Sequence, residues 1–216
     1  MNSIPLPSLR RLPRYLNVLE RFLDSGKQTV SATDIAEELD LKPIQIRKDM
    51  AFTGIVGKPK VGYTTYTLVE TIREFLGWNH KTQAVLVGAG SLGTALTGFE
   101  GFAKRGLDII AVFDNKESKI GVEVYGKPIR PMEEMPEIIR LNEVKVGIIA
   151  VPQDQSQKVA DQMIEAGIEG IWNFSPAEIH VPDHVVVKRE DLSEGLAVLF
   201  VQMHELRIKE KNTQRA

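Results

Sequence analysis

Val85-Leu86-Val87-Gly88-Ala89-Gly90-Ser91-Leu92-Gly93 is an apolar strand pattern running straight into Gly-x-Gly-x-x-Gly, and a helical pattern follows it. That succession reads as the phosphate-gripping turn of a nucleotide-binding fold. Gly88 allows the tight turn, Gly90 lets the backbone approach a pyrophosphate, and Gly93 lets the helix pack close to the strand. Ser91 and Leu92 belong to the helix start, where free N–H groups face phosphate oxygens. Glycine-rich turns of this kind also occur without a ligand, so the flanking sequence has to decide.

Downstream, residues 94–104 continue the helical pattern to Arg105-Gly106, and Ile109-Ile110-Ala111-Val112-Phe113 forms a second apolar strand ending at Asp114. Asp114 stands 21 residues after Gly93, close to the roughly 20 expected for a carboxylate that accepts the adenosine ribose hydroxyls. A carboxylate there repels a 2′-phosphate, which predicts NAD(H) over NADP(H); Lys116 and Lys119 blunt that exclusion. Residues 146–152 give another buried-type strand, 155–166 a helix, and 170–174 a strand ending in Ser175-Pro176. Ligands of open parallel sheets sit beyond the carboxyl ends of the strands. Val151, Pro152, Asn173, Phe174 and Ser175 are therefore candidates for the nicotinamide half of an NAD(H) site, with core packing as the alternative for each. The alternation predicts an α/β, Rossmann-type, doubly wound and mostly parallel sheet over residues 79–190.

Upstream, Leu9, Leu12, Leu16, Leu19 and Leu23 recur at helical steps. Ser31 with Asp34 is a capping-box signature for a second helix ending at Leu39. Pro43 opens a third, with Ile44, Ile46 and Met50 facing inward and Gln45, Arg47, Lys48 and Asp49 more exposed. The stretch 54–66 then mixes β-branched residues, turn residues and two lysines before another helical pattern. That order predicts a winged helix-turn-helix over residues 1–78. Its third helix would enter the major groove, with Gln45, Arg47 and Lys48 at base edges or phosphates. Lys58 and Lys60 on the hairpin tip would reach the backbone or minor groove, and Arg10, Arg11, Lys42 and Tyr63 complete the candidate DNA-binding set.

Charge agrees with this division. Residues 1–80 hold 11 Lys and Arg against 9 Asp and Glu, whereas 81–216 hold 16 against 20. A basic stretch on a mildly acidic chain suits a polyanion, although a solvated charged face reads the same way on charge alone. The absence of cysteine excludes disulfides and thiolate metal sites. The longest apolar runs, 148–152 and 196–201, fall short of the roughly 20 residues of a membrane span, and residues 1–12 lack the features of an export signal. A cytoplasmic protein without membrane partners is expected.

Residues 191–216 read as a terminal helix with Asp191 as N-cap. Leu196, Leu199 and their apolar neighbours cover more than one stripe, so the helix calls for a partner surface and is expected to dimerise the chain, with an intramolecular core helix as the alternative. A dehydrogenase would need a proton donor or acceptor beside the nicotinamide. None of His80, His180, His184 and His204 follows a strand end in a way that marks catalysis, and no separate substrate domain remains. No catalytic residue and no metal centre are predicted.

The whole arrangement resembles the Rex family of redox-sensing transcriptional repressors. Arg11-Leu12-Pro13, Ile46-Arg47-Lys48-Asp49, Val61-Gly62-Tyr63, residues 88–93, Phe113-Asp114, Lys119-Ile120-Gly121, Asn173-Phe174-Ser175-Pro176 and Asp191-Leu192 carry the likeness. The resemblance implies a homodimer with exchanged terminal helices that binds a palindromic operator in double-stranded DNA when NADH is scarce and releases it when NADH rises. NAD(H) would act as a ligand and not as a redox substrate. Asn17 stands where the family usually has an arginine, and Phe99 where it has a tyrosine. By resemblance those two couple the DNA domain and nicotinamide pocket to Asp191, and here only Asp191 survives. Ala51-Phe52-Thr53 replaces the more usual Ser-Tyr-Phe, so the chain resembles a divergent paralogue. An NAD-dependent oxidoreductase with a fused helical domain, and a Rossmann module for CoA or another nucleotide, are the alternative readings.

Overall fold

The computed structural model describes residues 4–213. The chain divides into two compact units with the boundary between Lys81 and Thr82, three residues beyond the expected division at 78/79. The first unit contains α1 (Leu6–Asp24), β1 (Thr29–Val30), α2 (Ala32–Leu39), α3 (Pro43–Phe52), β2 (Tyr63–Thr64) and α4 (Thr65–Phe75). The apolar stripe of α1 drives its packing: Leu12, Tyr15, Leu16 and Leu19 are fully buried against Ile35, Ile46, Met50, Leu68 and Ile72 from the other three helices. Ser31 caps α2 in a reciprocal box, its hydroxyl accepting from Asp34 N–H while the Asp34 carboxylate accepts from Ser31 N–H at 2.6 Å. Burial works against that carboxylate's charge, but its bonds to Lys27 and Ser31 prevail and hold its pKa down at about 2.

The wing is smaller than the sequence suggests. Thr29 and Val30 pair antiparallel with Thr64 and Tyr63, so the partner of β2 lies before α2 and not within residues 54–57. The tip is a tight turn in which Lys58 N–H donates to Gly62 O at 2.7 Å and Gly62 N–H donates to Lys58 O at 2.9 Å. Gly62 takes φ +90°, and a side chain there would drive a carbon to 2.3 Å from Val30 O.

The second unit runs β3 (Thr82–Val87), α5 (Ser91–Thr97), α6 (Glu100–Ala103), β4 (Leu107–Asp114), β5 (Glu123–Val124), β6 (Lys127–Pro131), α7 (Met135–Leu141), β7 (Val146–Ile149), α8 (Ser156–Ala166), β8 (Gly170–Asn173), β9 (Val186–Arg189) and α9 (Leu192–Thr213). Its seven-stranded sheet has the order β5-β6-β4-β3-β7-β8-β9. All pairings are parallel except the β5–β6 hairpin at one edge. Alternate residues of β3 serve two cores: Val85 and Val87 join α7 and α8, while Ala84 and Leu86 join Leu96 and Phe102. The unbroken apolar run 84–87 is therefore explained by helices on both faces.

The faces are unequally covered. Ile179 and Val181, from the helix-free connection between β8 and β9, pack with the α7–α8 core. Among the described residues the opposite face carries α5 and α6 with a row of aromatics: Phe99, Phe102, Trp172 and Phe174, with successive ring centroids 4.9, 5.2 and 4.9 Å apart. The expected single helix over 94–104 is two pieces. It breaks at Gly98, which caps the carboxyl end of α5 and against which the ring of Tyr125 from the β5–β6 turn packs.

Candidate nucleotide cleft and nucleic-acid face

Strand order reverses between β3 and β7, and the carboxyl ends of such adjacent strands leave a crevice. A cleft of about 520 Å³ lies there, lined by Gly88, Gly90, Asp114, Lys116, Lys119, Val151, Pro152 and Lys158 among others. Gly88 adopts φ +106°, and a Cβ on it would meet Ala150 O at 2.4 Å. A Cβ on Gly93 would fall 1.8 Å from Gly88 O, so helix and turn touch through hydrogen. A Cβ built on Gly90 would meet nothing within 4 Å, and this open position is where a diphosphate can approach the backbone. The three glycines thus have three distinct environments, as a phosphate turn requires. Ser91, Leu92 and Gly93 form the first turn of α5 behind it.

Asp114 is buried at the end of β4. Its Oδ2 accepts from Ala89 N–H at 2.9 Å and from Lys119 Nζ at 2.7 Å, and its Oδ1 accepts from Lys116 N–H at 2.9 Å. Lys119 also donates to Ala89 O at 2.9 Å. The carboxylate therefore fastens the glycine turn to β4 before any ligand arrives. Of the roughly four acceptor positions of a carboxylate, one remains for a ribose hydroxyl. Burial raises its pKa, but the bonds from Lys119 and the backbone outweigh this and leave it below the ordinary value.

Asn173, Phe174 and Ser175 do not line this cleft. Ser175 N–H donates to Asn173 Oδ1 at 2.9 Å, Asn173 Nδ2 donates to Ala177 O at 2.9 Å, and Ser156 Oγ donates to Ser175 Oγ at 2.6 Å. Their polar groups are consumed in building the turn after β8, and Phe174 stands in the aromatic row. Asn173 borders a second hollow of about 240 Å³ with Glu178, His180 and Arg189. Met132, Glu133, Asn115, Gln155 and Gln162 do line the main cleft. Sequence reading missed them because they sit in turns and on a helix face without a motif.

In the first unit α3 forms a ridge between two hollows. One, of about 650 Å³, is lined by Arg11, Lys42, Ile44, Gln45, Lys48 and Asp49; the other, of about 410 Å³, by Thr33, Arg47, Lys58, Lys60 and Tyr63. The candidate DNA-binding residues are thereby gathered on one helix and its flanks, except Arg10, which is exposed on α1 and borders neither hollow. Asp49, expected to be exposed, is 2% exposed. The Arg11 guanidinium forks onto it, Nε to Oδ2 at 2.7 Å and Nη2 to Oδ1 at 2.8 Å, and Tyr15 donates its hydroxyl to Oδ2 at 2.6 Å. Desolvation alone would raise the Asp49 pKa; the Arg11 and Tyr15 bonds reverse that and lower it. Arg11 is thus largely committed inside the protein. Tyr63 is half-buried against the core.

Asp191 accepts from Ser193 N–H at 2.9 Å through Oδ1, which caps α9, and its Oδ2 lies 3.4 Å from Arg189 Nη2. An arginine of its own chain, two residues away, thus faces the carboxylate. Leu196 and Leu199 are each 50% exposed, and Val198, Phe200, Val201 and Leu206 are exposed with them.

Two family models match the chain: "Putative DNA-binding protein N-terminus" over residues 3–51 and "CoA binding domain" over residues 79–177. Among curated relatives, the redox-sensing transcriptional repressor Rex of Treponema denticola is 47% identical, over 92% of this chain and 94% of that one. This chain belongs to the Rex family of redox-sensing transcriptional repressors. The Rex protein of Bacteroides thetaiotaomicron is 36% identical over 96% of this chain and 94% of its own. A crystal structure described as RSP in complex with β-NAD⁺ and operator DNA superposes with a TM-score of 0.89 at 29% identity, covering 98% of this chain and 97% of that one. RSP in complex with β-NADH gives 0.87 at 28% identity, with 98% and 99% covered. The Rex likeness extends over both units, so the winged helix and the Rossmann sheet belong to one inherited architecture.

Proposed function

We propose that this chain is a homodimeric repressor that binds a palindromic operator through its winged helices and responds to NAD(H) bound at the β3–β7 crevice. The observation that carries the reading is the presence, in one chain, of a basic recognition helix and a glycine turn with an acceptor at the next strand end. The RSP complexes with operator DNA, NAD⁺ and NADH support it. The pyrophosphate would lie at Gly90 and the start of α5, and the adenosine ribose beside Asp114, Lys116 and Lys119. The nicotinamide would extend toward Val151 and Pro152. As a bound ligand it supplies binding energy that differs between DNA-competent and DNA-incompetent arrangements of the dimer, and this difference sets how far it shifts DNA affinity. No described helix is long and apolar enough to cross a membrane, and a repressor's target lies in the bacterial cytoplasm.

Surface chemistry supports the dimer. Among the described residues no helix covers the aromatic face over β8, where Phe99 is 57% exposed, and α9 is a 22-residue helix with uncovered apolar side chains. Each supplies what the other lacks, and a second copy of the chain brings both.

Fluorescence anisotropy of a labelled palindromic duplex, titrated with protein in the presence of NADH, NAD⁺ or CoA, tests the reading. Specific binding that NADH weakens and CoA leaves unchanged is expected. Absence of specific binding under every condition refutes it, and sensitivity to CoA alone would assign the cleft to a different nucleotide.

A further inference from the structure

We propose that Gln45 reads an acceptor-only base edge in the major groove, and that Arg11, locked by Asp49, is the positioning residue that sets its amide to do so. The inference rests on the DNA-binding reading above and concerns which bases are preferred.

Gln45 and Asp49 are one turn apart on α3 and so share a face. Arg11 of α1 touches both. Its fork onto Asp49 is reinforced by Tyr15 and by Ser8, whose Oγ lies 3.1 Å from Nη2. The carboxylate is nearly inaccessible, so the guanidinium has one orientation and not several. Its Nη1 and Nη2 lie 3.1 and 3.3 Å from the end of the Gln45 amide. A guanidinium carries only donors; the amide atom facing it must therefore be the oxygen. That turns the NH₂ group away from Arg11, on the helix that also presents Ile44 and Lys48 to the same hollow.

The consequence is chemical. A free glutamine pairs with adenine by accepting from N6 and donating to N7. With its oxygen held by Arg11, Gln45 offers donors alone and leaves the adenine N6 amino group without an acceptor. Guanine, with acceptors at both O6 and N7, or thymine through O4, suits a donor-only reader. The clamp thus changes which base one glutamine selects without Arg11 touching DNA.

The test uses the full-length protein, selecting duplexes from a library randomised over one operator half-site. Wild-type protein is expected to favour guanine or thymine over adenine by about tenfold at one base pair, and Gln45→Ala to flatten that preference. Arg11→Lys keeps the charge beside Asp49 but cannot fork. It should free the amide and bring adenine to within about threefold at the same base pair. Gln45→Glu, on a half-exposed position that spares the core, carries acceptors only and should shift the preference toward cytosine. Unchanged base preference in a folded Arg11→Lys protein, or in Gln45→Glu, overturns the proposal. Wild-type protein that selects no sequence at all refutes the DNA-binding reading itself, a separate and recognisable result.

Discussion

Asp114 shows how one side chain can serve structure and ligand together. Its carboxylate joins the glycine turn, the start of the loop after β4 and Lys119. Replacement by Asn removes the charge that Lys119 faces and should cost about 2 kcal/mol in urea denaturation, the usual scale for a charge-assisted bond in a buried setting. It should also raise NADP(H) affinity relative to NAD(H), read by calorimetric titration, because the repulsion of a 2′-phosphate is gone while two lysines remain. Asp49 holds the first unit in the same way. Both carboxylates have folded pKa values below the ordinary 3.8, so their stabilisation is complete above about pH 4 and is lost as pH falls further. Thermal melts should show a midpoint insensitive to these groups between pH 6 and 8 and falling below pH 4. A midpoint that declines already at pH 6 would contradict the assignment.

At the scale of elements, the small devices at helix and strand ends decide the site. Removing the α2 cap with Ser31→Ala should destabilise the first unit by about 1 kcal/mol in a denaturant melt and leave nucleotide binding untouched. Gly93→Ala places a carbon where Gly88 O already sits, so the turn must open and nucleotide affinity should be lost while operator binding persists. The glycine turn, the strand ending at Asp114 and the capping box were legible because each depends on residues next to one another in sequence. The break at Gly98 was not, since an apolar helical pattern runs on across it and the Tyr125 ring that packs there comes from the β5–β6 turn. The buried state of Asp49 was hidden for the same reason: its partner Arg11 is 38 residues away, and an aspartate on a basic helix reads as exposed until that partner is seen. β5 is only two residues long, and β9 lies largely exposed at the sheet edge, so neither shows the buried alternation that marks a strand.

For the whole molecule, α9 and the aromatic face are the unfinished surfaces. Burying Leu196 and Leu199 contributes on the order of 2 kcal/mol each, and Asp at both positions should leave a monomer by light scattering. Two half-sites joined in one dimer bind far more tightly than either alone, so that variant should lose about a hundredfold in operator affinity while each unit stays folded. A persistent dimer would place the contact elsewhere. The two tryptophans fall one to a unit: Trp78 packs on the helical core, and Trp172 stands in the aromatic row with its indole N–H donating to Glu190 at 3.1 Å. The chain therefore carries its own optical labels. With Trp78→Phe, the remaining emission comes from beneath the surface that a second copy would cover, so a blue shift on association and quenching by a reduced nicotinamide, which absorbs where indole emits, become two separate colours of information from one unlabelled protein.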